Sequence, residues 1–190
     1  MLISKMTRHV AFNANGAPDL IIDEFLLRSA IDFLRQTCAW ITTETETLAS
    51  GEFPHVVFAP PSGRVFKILE VSIYGSPPLE QKTVSELSAI FEDWRTETGA
   101  TPEYWTEEER GQLTVARLPD TATEFEIISA HEPTSTATNI PDEIYEEFHD
   151  VIESGALSRL LMVPGKTWTN PELAGVHKQI FDSGVGRGKV

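Results

Sequence analysis

The chain has 190 residues, 41% hydrophobic and 23% charged, ordinary usage for a soluble globular protein: enough for one domain with a real core or one carrying a large insertion, cramped for two. The balance of 29 acidic against 15 basic residues, a net charge of −14, argues against a surface built to grip DNA phosphates or anionic lipid. No apolar run reaches the roughly 18 residues of a membrane span, and Met1-Leu2-Ile3-Ser4-Lys5-Met6 turns polar before a signal-length stretch develops, so a cytosolic, reducing compartment is expected.

From Pro18 to about Ile41 the spacing predicts a helix. Leu20, Leu27, Ile31, Leu34, Cys38 and Ile41 recur at three- and four-residue steps, flanked by Ile22, Leu26, Ala30 and Phe33. Asp19, Asp23 and Glu24 suit the positive end of its dipole. The single cysteine, Cys38, cannot close an intrachain disulfide, and its place in the apolar pattern makes it a buried small hydrophobe.

Residues 52–78 change character. Val56-Val57-Phe58 and the run Val65 to Tyr74 are β-branched and aromatic, separated by Pro60-Pro61-Ser62-Gly63, which predicts two strands joined by a turn. Thr83-Val84-Ser85-Glu86 is a capping box opening a short helix through Leu87, Ile90, Phe91 and Trp94, stopping near Gly99. Thr101 to Trp105 is extended, and Glu107-Glu108-Glu109 forms a solvated turn. Leu113 to Leu118 and Phe125 to Ile128 predict another pair of strands across Pro119-Asp120.

A polar connector over 131–140 leads to Pro141, a good first-turn residue. The helix from Pro141 to about Met162 puts Ile144, Phe148, Val151, Ile152, Gly155 and Leu160 on one side and Asp142, Glu143, Glu146, Glu147, Asp150 and Glu153 largely on the other. An interior glycine costs about 1 kcal/mol against alanine, so Gly155-Ala156 implies that another helix backbone comes close. Pro164-Gly165 stops this helix, and Asn170-Pro171-Glu172 opens the next as N-cap, N1 and N2, reaching Phe181. The tail from Gly184 to Val190 is glycine-rich and basic, and is expected to be mobile when unpartnered.

Chemistry is sparse. Pro164-Gly165-Lys166-Thr167 has the end of a phosphate-binding loop, but the glycine required five positions before the Gly-Lys-Thr is Leu160, and the stretch joins two helices instead of following a strand. An αα-hairpin corner plugged by Trp168 is the alternative. His9, His55, His131, His149 and His177 form no metal-ligand spacing, and one cysteine excludes a multi-cysteine zinc site. Ser158 lies in mid-helix, a poor place for a nucleophile. Carboxylates are so plentiful that no acid/base pair stands out.

The stretch "IPDEIYEEFHDVIESGALSRLLMVPGKTWTNPELAGVHKQIF" has a proline-started helix, Gly-Ala-Leu-x-Arg-Leu-Leu, a Pro-Gly-Lys-x-Trp corner, and Asn-Pro-x-Leu-Ala opening the last helix. It resembles the head-to-tail adaptor, or connector, proteins of tailed bacteriophages. Cys38-Ala39-Trp40, the Trp94…Gly99…Pro102-x-Tyr104 segment and the strands before Pro133 extend the likeness over most of the chain. Gly99-Ala100-Thr101-Pro102 and Leu118-Pro119 depart from the family's shorter Gly-x-Pro link and Pro-x-Pro. The resemblance implies a structural protein of the virion neck, assembled in the host cytoplasm. Its partners would be the portal protein, neighbouring copies in a ring of commonly twelve, and tail or nozzle proteins, with DNA passing through the lumen.

The expected fold is therefore α+β: an antiparallel helical bundle, an N-terminal helix plus a C-terminal helical hairpin, from residues 1–51 and 139–190, with a β-rich region and one short helix inserted over 52–138. Expected contacts to portal or neighbouring subunits are Phe181, Val185, Arg187, Lys189 and Val190. No catalytic residue, cofactor, metal or membrane contact is expected. The competing reading is a phage-encoded hydrolase or metal-binding enzyme built from scattered carboxylates and histidines; a third is another tail component, such as a stopper or nozzle protein. The acidic excess could line a lumen that repels phosphates or face outward for solubility.

Overall fold

The structure, a computed structural model, describes residues 3–99 and 101–189. It is mixed α+β, and the chain divides into two compact units, one of residues 1–40, 60–64 and 132–190, the other of residues 41–59 and 65–131.

The first unit is helical. α1 (Ser4–Asn13), which no sequence signal above anticipated, turns Met6, Thr7 and Val10 inward. α2 (Asp19–Thr37) buries Ile22, Leu26, Ser29, Ala30, Phe33, Leu34 and Thr37. The buried stripe is thus Leu34 of the expected stripe together with the four residues expected to flank it. Leu20 is 82% exposed, while Leu27 and Ile31 are half-buried. The helix also ends earlier than its apolar phase suggests, because Cys38 adopts a left-handed conformation, φ 53°, and its N–H returns to Leu34 O at 2.9 Å, closing the last turn without a glycine. Cys38 is accordingly a half-exposed cap and not a core side chain.

α4 (Asp142–Leu160) and α5 (Pro171–Gly188) complete this unit, and α4 packs on both α2 and α5. A side chain of even one carbon on Gly155 would sit 2.1 Å from Ser29 Oγ and 2.4 Å from Phe181 Cδ2. The atoms nearest that position belong to the side chains of Ser29 and Phe181, and Ser29 Oγ donates to Ile152 O at 2.7 Å beside it, linking α2 to the α4 backbone. The corner between α4 and α5 is closed by Thr169, whose hydroxyl donates to Val163 O at 2.5 Å and accepts from Lys166 N–H at 3.1 Å. Trp168 packs against the helical core there. Asn170 caps α5 through Leu173 N–H, 3.1 Å, as its Asn-Pro-Glu sequence predicts.

The last helix runs further than expected. Residues 184–188 are helical, with Gly184, Val185 and Gly188 buried, because Gly184 and Gly188 let α5 approach its neighbours closely. A Cβ on Gly184 would lie 2.4 Å from Val151 Cγ2, and one on Gly188 2.9 Å from Phe33 Cζ. The expected mobile tail is in this respect a packed helix end.

The second unit holds the strands β1 (Ile41–Leu48), β2 (His55–Val56), β3 (Gly63–Ile73), β4 (Glu80–Gln81), β5 (Thr98–Gly99), β6 (Tyr104–Glu107), β7 (Gln112–Ala116), β8 (Leu118–Pro119) and β9 (Thr123–Pro133), apart from residues 63–64 and 132–133 at two strand ends. α3 (Val84–Ile90) is its one α-helix; it carries the expected Thr83–Glu86 capping box but ends at Phe91, well before Gly99. Pairing differs from the two hairpins expected. β9 lies between β1 and β3, with Ile41 opposite Ala130 and Leu48 opposite Thr123, while β7 lies between β2 and β6, with Trp105 opposite Val115.

β2 cannot continue toward β3, since Pro60 and Pro61 lack N–H groups for a ladder, and Phe58 N–H goes to the Glu44 carboxylate at 3.3 Å. The acidic turn is only partly solvated, because Glu107 accepts the N–H groups of Ile68 and Gly111 at 3.3 and 2.6 Å. Val65, Ile68, Val71, Trp105, Leu113, Val115, Phe125 and Ile127 form the core of this unit.

Candidate functional site

Three regions of the helical unit carry charge or exposed apolar surface. The first is an ion cluster. Glu132, in the buried run that ends β9, has a fully buried side chain. Arg35 near the end of α2 engages it through Nε and, at 3.1 Å, through Nη2, and Arg64 Nε reaches it at 2.6 Å. Burial pushes this carboxyl up, but the two guanidiniums outweigh it and hold the group below the usual carboxylate range. The Glu132 hydrogen bond in turn raises the Arg35 guanidinium. The cluster fastens the segments around residues 35, 64 and 132 into one unit.

The second region is the outward face of α4, where Asp142, Glu143, Glu146, Glu147 and Asp150 are all exposed. At its inner edge Glu153 meets His9 Nδ1 at 3.2 Å; burial raises the Glu153 carboxyl against the pull of that imidazole. The face is acidic along three turns and offers like-charge pairs at i, i+4, which are mildly destabilising in isolation.

The third region is the end of α5. Phe181 and Val185 point into the helical core, whereas Arg187 and Lys189 are exposed. Val190 lies outside the described residues. Beside these, a cleft of about 390 Å³ opens between the start of α1, α2 and residues 135–138; its lining includes Ile3, Leu20, Leu27, Ala137, Asp23 and Glu24. Asp23 accepts a hydrogen bond from the Thr7 hydroxyl, and Glu24 pairs with Arg28 at 2.5 Å on exposed surface.

In the other unit His131 is buried, with Nε2 2.6 Å from Thr42 Oγ1 and 3.1 Å from Ser129 Oγ, and burial pushes its imidazole below the ordinary value. Among the described residues no group of three or more His, Cys, Asp or Glu is placed to hold a metal ion, and no helix is long and apolar enough to cross a membrane. Sequence reasoning missed Arg35, Arg64 and Glu132, because Glu132 follows Glu124 and Glu126 in the same strand and nothing local marks it as the buried one. It also missed the cleft, because Leu20 and Leu27 were assigned to the core.

No curated protein matches the chain in sequence. The family model described as SU10 adaptor protein matches residues 1–189, nearly the whole chain including the basic end of α5. The protein therefore belongs to the SU10 adaptor family, whose members are structural head-to-tail adaptors of phage.

Proposed function

We infer that the protein, as a member of that family, is a virion structural component that associates with other head and tail parts. We propose that it assembles as a ring, commonly of twelve copies, that docks on the portal, meets tail or nozzle proteins on its other side and lets DNA pass through its lumen without specific binding, after assembly in the host cytoplasm. The observation that carries this reading is the family match over residues 1–189. In it, the helices form an antiparallel bundle, the rigid part of each subunit, drawn from residues 1–51 and 139–190, while the β-rich region over 52–138 supplies the remaining contacts.

Portal docking falls to the end of α5. Phe181 and Val185 hold that end in place from inside, and the exposed Arg187 and Lys189 meet the partner. The net charge of −14 supports a lumen that repels phosphates where carboxylates face it. The test is to mix the chain with purified portal rings and follow co-sedimentation. Stoichiometric attachment as a ring is expected; a chain left free in the supernatant at micromolar concentrations of both would contradict the proposal.

A further inference from the structure

Two features of the helical unit stand out on its surface. Because α1 buries Met6, Thr7 and Val10, a turn of 100° per residue leaves Lys5, Arg8, His9 and Phe12 together on an outward arc of about 100°. α1 contains no acidic residue although the chain is strongly acidic. Phe12 is 87% exposed. One exposed apolar side chain needs no explanation, but an aromatic this bare, flanked by cations on one helix face, has the composition of an interface anchor.

The second feature is the cleft over Leu20 and Leu27. Its volume of about 390 Å³ lies at the bottom of the range for small-molecule sites. Leu20 projects from its wall, 82% exposed. Asp23 and Glu24 border it, and the Glu24–Arg28 pair that partly offsets them is solvent-exposed and hence weak. Aromatic knob with cations and apolar hole with carboxylates are thus complementary in polarity and charge. Phe12 does not line the cleft, so the two patches occupy different parts of the surface. Within one copy Lys5 acts electrostatically on Asp142, while Arg8 has no ionic partner among the described residues.

We propose that the Phe12 face of α1 in one copy seats in the Leu20–Leu27 cleft of the next, with Arg8 and Lys5 meeting Asp23 and Glu24. Such a contact joins different patches head to tail, the arrangement that closes a ring when the rotation between neighbours allows it. This interface rests on the ring reading above and adds to it which surfaces join the subunits.

The test uses two single-cysteine proteins, Phe12→Cys and Leu20→Cys, each with Cys38→Ser. They are loaded separately and as a mixture onto purified portal rings and treated with a short thiol cross-linker. The mixture is expected to give covalent dimers at about tenfold the yield of either protein alone. In parallel, Phe12→Asp is expected to raise the concentration needed for half-assembly by about tenfold or more, with Phe12→Leu largely restoring it. Its exposure lets the monomer fold unchanged, as circular dichroism would verify. Rings visible by electron microscopy with no excess of dimer in the mixture would overturn the interface and leave the ring standing. Absence of rings from the wild-type chain on portal would overturn both.

Discussion

The buried carboxylate of Glu132 forms ion pairs with both Arg35 and Arg64. Glu132→Gln leaves two guanidiniums facing a neutral amide. Breaking a buried pair costs about 3–5 kcal/mol; since both arginines are partly exposed, about 2–3 kcal/mol is expected here, read from urea unfolding. Its pH dependence follows from the depressed folded value: the stabilisation is complete above about pH 4.3, the unfolded carboxylate value, and is lost as pH falls through the folded one. His131 acts at higher pH. The folded protein keeps it neutral while the unfolded chain takes up a proton below about pH 6.5, so stability declines as pH falls through that window. His177, also depressed by burial, adds to the decline, whereas Glu44 and Glu153, raised by burial, gain stability as pH falls through their folded values. His131→Gln should therefore flatten the fall of the urea midpoint just below about pH 6.5, and an unchanged slope would contradict the assignment.

At the scale of elements, α5 owes its reach to small residues at its closest approaches. Gly184→Ala would press a methyl onto Val151, and overpacking of this kind costs about 1–3 kcal/mol; Gly175→Ala, over open space on the same helix, should instead be neutral or gain up to about 1 kcal/mol. Comparing the two thermal midpoints checks the packing account, which requires them to move apart. Removing residues 182–190 should likewise lower the midpoint, since Val185 and the contact of Gly188 with Phe33 go with them. The same helix shows what sequence could reveal. Its start was legible because Asn-Pro-Glu states a cap chemically, as Thr83–Glu86 does for α3. Its end was not, because glycines signal a flexible tail unless their neighbours in space are known. The end of α2 was misplaced for the converse reason: Cys38 takes the left-handed cap without any glycine to announce it. Strand positions followed from β-branched runs, but pairing did not, since β9 joins β1 from some eighty residues away and nothing local encodes that choice. The charged cluster stayed hidden for the same cause, its members being separated by 29 residues or more along the chain.

For the whole molecule, charge decides how an adaptor would be approached and by what. A chain of net charge −14 that exposes Arg187 and Lys189 near the end of α5 should engage a portal surface through steered, salt-sensitive contacts. Reversing both, Arg187→Glu with Lys189→Glu, is expected to weaken portal attachment about tenfold or more at low salt without changing the thermal midpoint, measured by titrating labelled chain onto immobilised portal. An unchanged affinity would move the docking surface elsewhere. The most direct measurement of the adaptor role is electron cryomicroscopy of the neck in virions with and without this subunit. The expected result is a ring of this chain between portal and tail in complete particles, and filled heads lacking tails when it is absent. Tailed particles with an intact neck in its absence would contradict the role.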